Sequence, residues 1–315
     1  MRRILTDLLN SDSEIKVIDT GINGKFAVEK ARNLMPDVIT MDIMMPEMDG
    51  ITAIKEILKE QSIPIVIVSA YTKKDSEHTL KGIEAGAIDF VEKPSGEISV
   101  DMDKVKEELI NKVKSAAVAN VHQFTLVKPE KIVFNPTKKK VIVIGSSTGG
   151  PKTVETLLAG IPKNIPAPIL IAQHMPAEFT KAFADRLNIL CQIEVREATD
   201  GDELKEGVAL IAPGDTNMVV YGNAKEPMKG RIRILKKNEK SGIRPNVNML
   251  FISAAELFKE NTIGIVLTGM GNDGTEGCKK IKEAEGTIIA ESKESSIIYG
   301  MPKSVVDAGL ADEIL

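Results

Sequence analysis

Tryptophan is absent from this chain of 315 residues, aromatic side chains make up only 3%, and cysteine occurs twice. So few rings leave no ready platform on which bases or sugars would stack. Cys191 and Cys278 are far apart and form no metal-ligand spacing, so two buried thiols in a reducing cytoplasm are expected rather than a disulfide. No apolar run approaches the roughly 18 residues a bilayer-crossing helix needs, and the N-terminus lacks a signal-peptide core, so no membrane insertion is expected. A basic excess is missing too. With 41 Lys and Arg against 45 Asp and Glu, the net charge is −4, which argues against nucleic acid as a partner. What is present, 43% hydrophobic and 27% charged residues, is the composition of a globular protein. The length exceeds one ordinary core, so two domains are expected.

The order of patterns supports that division. Residues 1–94 alternate short apolar runs with amphipathic stretches: "KVID", "DVITMDI", "PIVIVSA" and "DFVEKP" read as strands, and "GKFAVEKARNLM", "GITAIKEILKEQ" and "HTLKGIEAGA" as helices. Alternation of this kind implies right-handed crossovers and a parallel sheet covered on both faces. Residues 95–139 hold a last helix, "DMDKVKEELINKVKSAA", and then a stretch with two prolines and no stable period, read as a tether. From residue 140 to 315 a second α/β series begins, interrupted after "IEVREA" by strand-rich segments that predict a hairpin insertion in a mostly parallel, doubly wound sheet.

The loop after the first strand of that series, "VIVIGSSTGGPKT", admits three chemistries. A dinucleotide fingerprint needs glycine where Ser147 stands, and a P-loop needs Lys directly after its last glycine, where Pro151 intervenes. The remaining pattern, G-x-S-x-G from Gly145 to Gly149, lifts a serine above a strand-to-helix turn, and Pro151 suits the first helical turn. The plainer reading, in which Ser146, Ser147 and Thr148 merely cap the next helix, has equal weight until partners are found. A serine nucleophile needs a base and a group to orient that base. Of His78, His122 and His174, only His174 follows an apolar strand, "APILIAQ", at the carboxyl end where open α/β sheets gather their ligands. Asp273, after "TIGIVLTG", is the favoured orienting carboxylate over Asp215, although an aspartate there also caps a helix well. Three strand-end groups of complementary type point to acyl transfer.

With those residues in view, the stretches "IGSSTGGP", "IAQHMP", "APGD", "SGIRPNVNMLF", "VLTGMGNDG" and "YGMPKSVVDAGLAD" resemble the chemotaxis protein-glutamate methylesterase family across nearly all of 140–315. The segments "DVITMDIMMPEMDG", "PIVIVSA" and "DFVEKPSG" resemble a two-component receiver, a flavodoxin-like fold. The resemblance implies a triad of Ser147, His174 and Asp273 hydrolysing γ-glutamyl methyl esters on chemoreceptors without a cofactor. Oxyanion donors would be backbone amides near Thr148 and Met270. Deamidation of receptor glutamines by the same route is expected to be weaker or absent. In the receiver half the resemblance implies phosphorylation at Asp42 by a chemotaxis histidine kinase, with Lys93 and Ser69 as switch residues. Asp42 and the Met44 carbonyl would be Mg²⁺ ligands. A non-enzymatic two-domain signalling adaptor is the alternative.

One departure matters. Receivers open with an apolar strand ending in an acidic pair, and this sequence opens at "MRRILTDLLNSD", already the following helix. Either Met1 is an internal methionine of a longer protein or the receiver is degenerate. In both cases the expectation for the chain as given is poor phosphorylation of Asp42 and a first domain of low stability.

Overall fold

The structure, a computed structural model, describes residues 1–70, 73–93, 101–120, 140–236 and 242–315. The chain forms two compact units, Met1–Gln123 and Phe124–Leu315. Most of the expected tether, 121–139, lies outside the described residues.

In the first unit three parallel strands, β1 (Ile39–Asp42), β2 (Ile65–Ser69) and β3 (Asp89–Glu92), pair in that order. Ile65, Val66 and Ile67 are inaccessible to solvent, because a parallel sheet is covered on both faces. Its helices are α1 (Arg2–Leu9), α2 (Gly24–Leu34), α3 (Gly50–Glu60), α4 (Lys73–Glu84) and α5 (Asp101–Ala117). Helix α3 is capped by the Asp49 carboxylate on the Thr52 N–H and turns Ala53, Ile54 and Ile57 inward. Helix α5 packs on β2 and β3 and buries Leu109 and Val113, so the last predicted helix belongs to this unit.

The expected strand "KVID" does not form. A strand needs a neighbour to take its N–H and C=O groups, and here the Val17 N–H turns instead to the Asn10 side chain. The segment is pinned by ions: Lys114 reaches Asp12 at 2.7 Å and Glu14 at 2.6 Å, and Lys30 reaches Asp19 at 2.8 Å. Between it and β1 lies a cavity of about 700 Å³, lined by residues including Leu5, Leu9, Val17, Ile39 and Met41.

The second unit is built on a seven-stranded, wholly parallel sheet in the order β12-β11-β10-β4-β5-β7-β6. The strands are β4 (Val141–Ser146), β5 (Ile169–Gln173), β6 (Glu194–Glu197), β7 (Val208–Ile211), β10 (Thr262–Val266), β11 (Thr287–Ala290) and β12 (Glu313–Ile314). The two-residue edge strand β12 has no readable period and was not expected from the sequence. The predicted insertion is present as the antiparallel hairpin of β8 (Asn217–Tyr221) and β9 (Arg231–Leu235). Helices α6 (Gly150–Ala159), α7 (Ala177–Leu190), α8 (Val247–Phe258), α9 (Thr275–Glu283) and α10 (Met301–Asp307) complete the unit. Helix α8 lies at the centre of the core, burying Leu250, Phe251, Ala254 and Phe258 against the sheet and β8. Both cysteines are free thiols; Cys278 is buried, and burial pushes it up to about 12. Among the described residues no helix is long and apolar enough to cross a membrane.

Candidate active site

Strands β10, β4 and β5 are neighbours, and each delivers one chemical group at its carboxyl end. Ser147 leaves β4 and His174 leaves β5 in matched register, since Ser146 pairs with Gln173. Asp273 stands in the loop after β10, on the other side of β4. The Ser147 Oγ lies 3.1 Å from His174 Nδ1, and His174 Nε2 lies 2.9 Å from Asp273 Oδ2. Serine, imidazole and carboxylate thus form one relay, with Nδ1 toward the hydroxyl and Nε2–H toward the acid.

The turn that carries Ser147 is held by backbone geometry. Gly149 has φ +79°, the left-handed region that costs other residues strain, and a Cβ there would come within 2.7 Å of Ile297. A Cβ on Gly269 would come within 2.7 Å of the Ser147 Cβ, so only glycine lets that loop back the nucleophile so closely. The cap of α6 is Gly149 itself, with no side-chain cap bond, so the reading of the hydroxyls as helix caps is not realised. Ser146 instead donates to Gln173 Oε1 at 2.6 Å. The Ser147 N–H donates to the Thr268 carbonyl, and its own carbonyl accepts from Gly150 N–H and Gln173 Nε2.

Asp273 is held as firmly. Its Oδ2 accepts from the Val247 N–H at 2.8 Å, and Oδ1 from the Asn248 N–H and side-chain amide at 3.1 and 2.7 Å. Burial pushes its carboxyl up, but the bonds from His174, Val247 and Asn248 outweigh burial and leave it below the ordinary carboxylate range. The competing Asp215 is exposed, and the carboxylate bonded to His174 is that of Asp273. Thr148 is buried behind the nucleophile, with its carbonyl accepting from the Thr268 hydroxyl, while Met270 is 45% exposed at the loop tip. Sequence reasoning missed Gln173, Asn248 and Thr268. Gln173 was within reach as the residue before His174, but an amide serving the backbone leaves no periodic signature.

A second constellation lies in the first unit. Asp42 Oδ2 is 2.7 Å from Lys93 Nζ, and Oδ1 accepts from the Met44 N–H. The Ser69 hydroxyl is engaged by the Thr79 hydroxyl at 2.7 Å. The donors fall short of a Mg²⁺ site: among the described residues no cluster of three His, Cys, Asp or Glu could hold a metal. Asp42 is already neutralised by Lys93, and one carboxylate with one carbonyl supplies too little charge and too few ligands.

Comparison with known proteins agrees with both halves. Residues 1–101 match the response regulator receiver domain, and residues 142–315 match CheB methylesterase. A protein-glutamate methylesterase/protein-glutamine glutaminase of Halalkalibacterium halodurans is 43% identical, covering all of this chain and 91% of the relative. The protein of the same name from Thermotoga maritima is 42% identical over the whole chain and 92% of its own length. The crystal structure of the Thermotoga maritima CheB methylesterase catalytic domain, 44% identical, superposes with a TM-score of 0.54 over 57% of this chain and 93% of that one. With a strand-end Ser–His–Asp relay, a receiver-type first unit and these full-length likenesses, the chain belongs to the CheB methylesterase family.

Proposed function

We propose that the chain hydrolyses γ-glutamyl methyl esters on the cytoplasmic helices of chemoreceptors, through an acyl-enzyme on Ser147. The observation that carries this reading is the unbroken Ser147–His174–Asp273 relay, 3.1 and 2.9 Å long. His174 Nδ1 takes the Ser147 proton as Oγ attacks the ester carbonyl. Nε2–H donates to Asp273, which fixes the tautomer and stabilises the imidazolium. The same proton then passes to the departing methoxide, releasing methanol. Water deprotonated by His174 next attacks the acyl-enzyme and frees the glutamate. The Ser147 N–H is committed to Thr268, so the oxyanion falls to other amides, those of Thr148 and Met270 in this proposal. These steps draw on side chains and amides of this chain alone. A glutamine substrate follows the same path with ammonia leaving, more slowly because amides are the poorer acyl donors.

The receiver supplies control. A chemotaxis histidine kinase in the cytoplasm is the phosphodonor and Asp42 the acceptor in this reading, with the carboxylate and carbonyl found there not enough by themselves to hold Mg²⁺. A non-enzymatic adaptor is not favoured, since binding alone has no use for an aligned proton relay. Ser147→Ala tests the chemistry directly. Methanol release from a peptide bearing a γ-glutamyl methyl ester should fall by about 10³-fold or more, with the circular dichroism spectrum unchanged. Retained turnover would remove Ser147 from the mechanism.

A further inference from the structure

Glu291 is a buried acid that the relay does not use. It directly follows β11 and is 6% exposed, and among the described residues no cation is paired with it. Its Oε2 accepts from the Thr268 N–H at 2.5 Å. Thr268, inaccessible to solvent, is the point on which the nucleophile turn is hung. Its carbonyl accepts from the Ser147 N–H at 3.0 Å, and its hydroxyl donates to the Thr148 carbonyl at 2.9 Å and accepts from the Ile298 N–H at 2.8 Å. The next residue, Gly269, lies against the Ser147 Cβ. Glu291 therefore grips one end of a peptide unit chain whose other side holds the serine.

We infer that Glu291 is a positioning residue for the reaction at Ser147, its carboxyl setting the Thr268 peptide against which the nucleophile turn is registered. The inference rests on Ser147 being the nucleophile. Glu291 touches neither substrate nor reacting atoms; it acts through Thr268. Leaving the buried Thr268 N–H without an acceptor costs free energy that the turn recovers only by shifting, and shifts well under an ångström separate a nucleophile from its carbonyl.

The proton on Glu291 gives the role a signature. Burial raises its pKa to about 7, against the lowering effect of bonds from the Thr268 N–H and the Ser295 hydroxyl. Once ionised, it becomes a charge-assisted acceptor, which holds an N–H more strongly than the neutral acid. The titratable groups on the surrounding elements are Asp273 and His174 beyond the Ser147 turn and Lys293 and Glu294 in the turn after β11. Tyr299 stands before α10, Lys303 and Asp307 on α10, Glu276, Lys279, Lys280, Lys282 and Glu283 on α9, and Asp312 and Glu313 at the β12 edge.

The test uses the full chain and a peptide carrying a γ-glutamyl methyl ester, with kcat and KM read from methanol release between pH 6 and 8.5. Glu291→Leu keeps the volume and removes the acceptor; kcat should fall by about 10-fold or more with KM within about twofold. Glu291→Gln keeps an acceptor but never ionises. It should match the native chain near pH 6 and fall behind it about two- to fivefold above pH 7.5. An unchanged kcat in Glu291→Leu overturns the inference. If that variant does not fold, a Glu291→Gln rate in constant ratio to the native rate across the pH range overturns it instead. Ser147→Ala run alongside separates the failures. Activity surviving there defeats the nucleophile assignment, whereas its loss beside a normal Glu291→Leu defeats only the role of Glu291.

Discussion

At the scale of single residues the site holds two carboxyls, one part-buried and one buried, with opposite pH behaviour. Asp273 is below its ordinary value in the folded chain, so the stability it contributes is present above its unfolded pKa and is lost as pH falls through the folded one. Glu291 is raised from 4.5 to about 7, so the folded state binds its proton more tightly than the unfolded state does. Stability must then decline as pH rises across that window, by about 3 kcal/mol in all. Urea unfolding of the native chain at pH 5 and pH 8 should show this loss, and Glu291→Gln should be stripped of most of it. Equal declines in the two proteins would assign the pH dependence to other groups. Ser147, His174 and Asp273 were legible because reactive groups in open α/β sheets sit at strand ends, where a serine, a histidine and an aspartate stand out. Glu291 ends a strand too, in "TIIAES", yet its value lies in one bond to a backbone N–H. Nothing in the order of residues marks which peptide a buried acid will face.

Elements decide how those residues meet. The parallel sheet of the second unit was readable from alternating apolar runs and amphipathic stretches, and the hairpin of β8 and β9 from a cluster of short strand-like segments. The first unit shows where such reading stops. "KVID" has strand composition, but strand formation is decided by a neighbour, and the segment's backbone and charges are spent on side chains instead. The sharp turn between β4 and α6 is the element on which function depends most. Gly149→Ala brings a Cβ into a left-handed conformation and against Ile297. A loss of about 1–3 kcal/mol in stability is expected. The esterase kcat should drop further than that loss alone explains, because the turn relaxes where Ser147 leaves it. Thermal melting with kinetics on the folded fraction checks this, and full activity per folded molecule would show the turn tolerates a side chain.

At the scale of the molecule, each unit has its own core, and their qualities differ. The catalytic unit surrounds α8 with a seven-stranded sheet, whereas the first unit has three paired strands and a cavity of about 700 Å³ beside β1. The first unit is therefore expected to unfold first on heating. A chain shortened to 140–315 should hydrolyse the ester peptide at least as fast as the full chain, if the receiver restrains the enzyme. A slower shortened chain would count against restraint.

The pairing of Ser146 with Gln173 carries one more consequence. Side chains alternate faces along a strand, so sliding β5 by a single position would swap the imidazole for an amide or a methionine opposite the serine. Esterase activity is thus a census of correctly aligned sheets. An irreversible serine-directed phosphonate, counted by mass, would report the fraction of refolded molecules whose central strands found their proper alignment, which spectra of secondary structure do not distinguish.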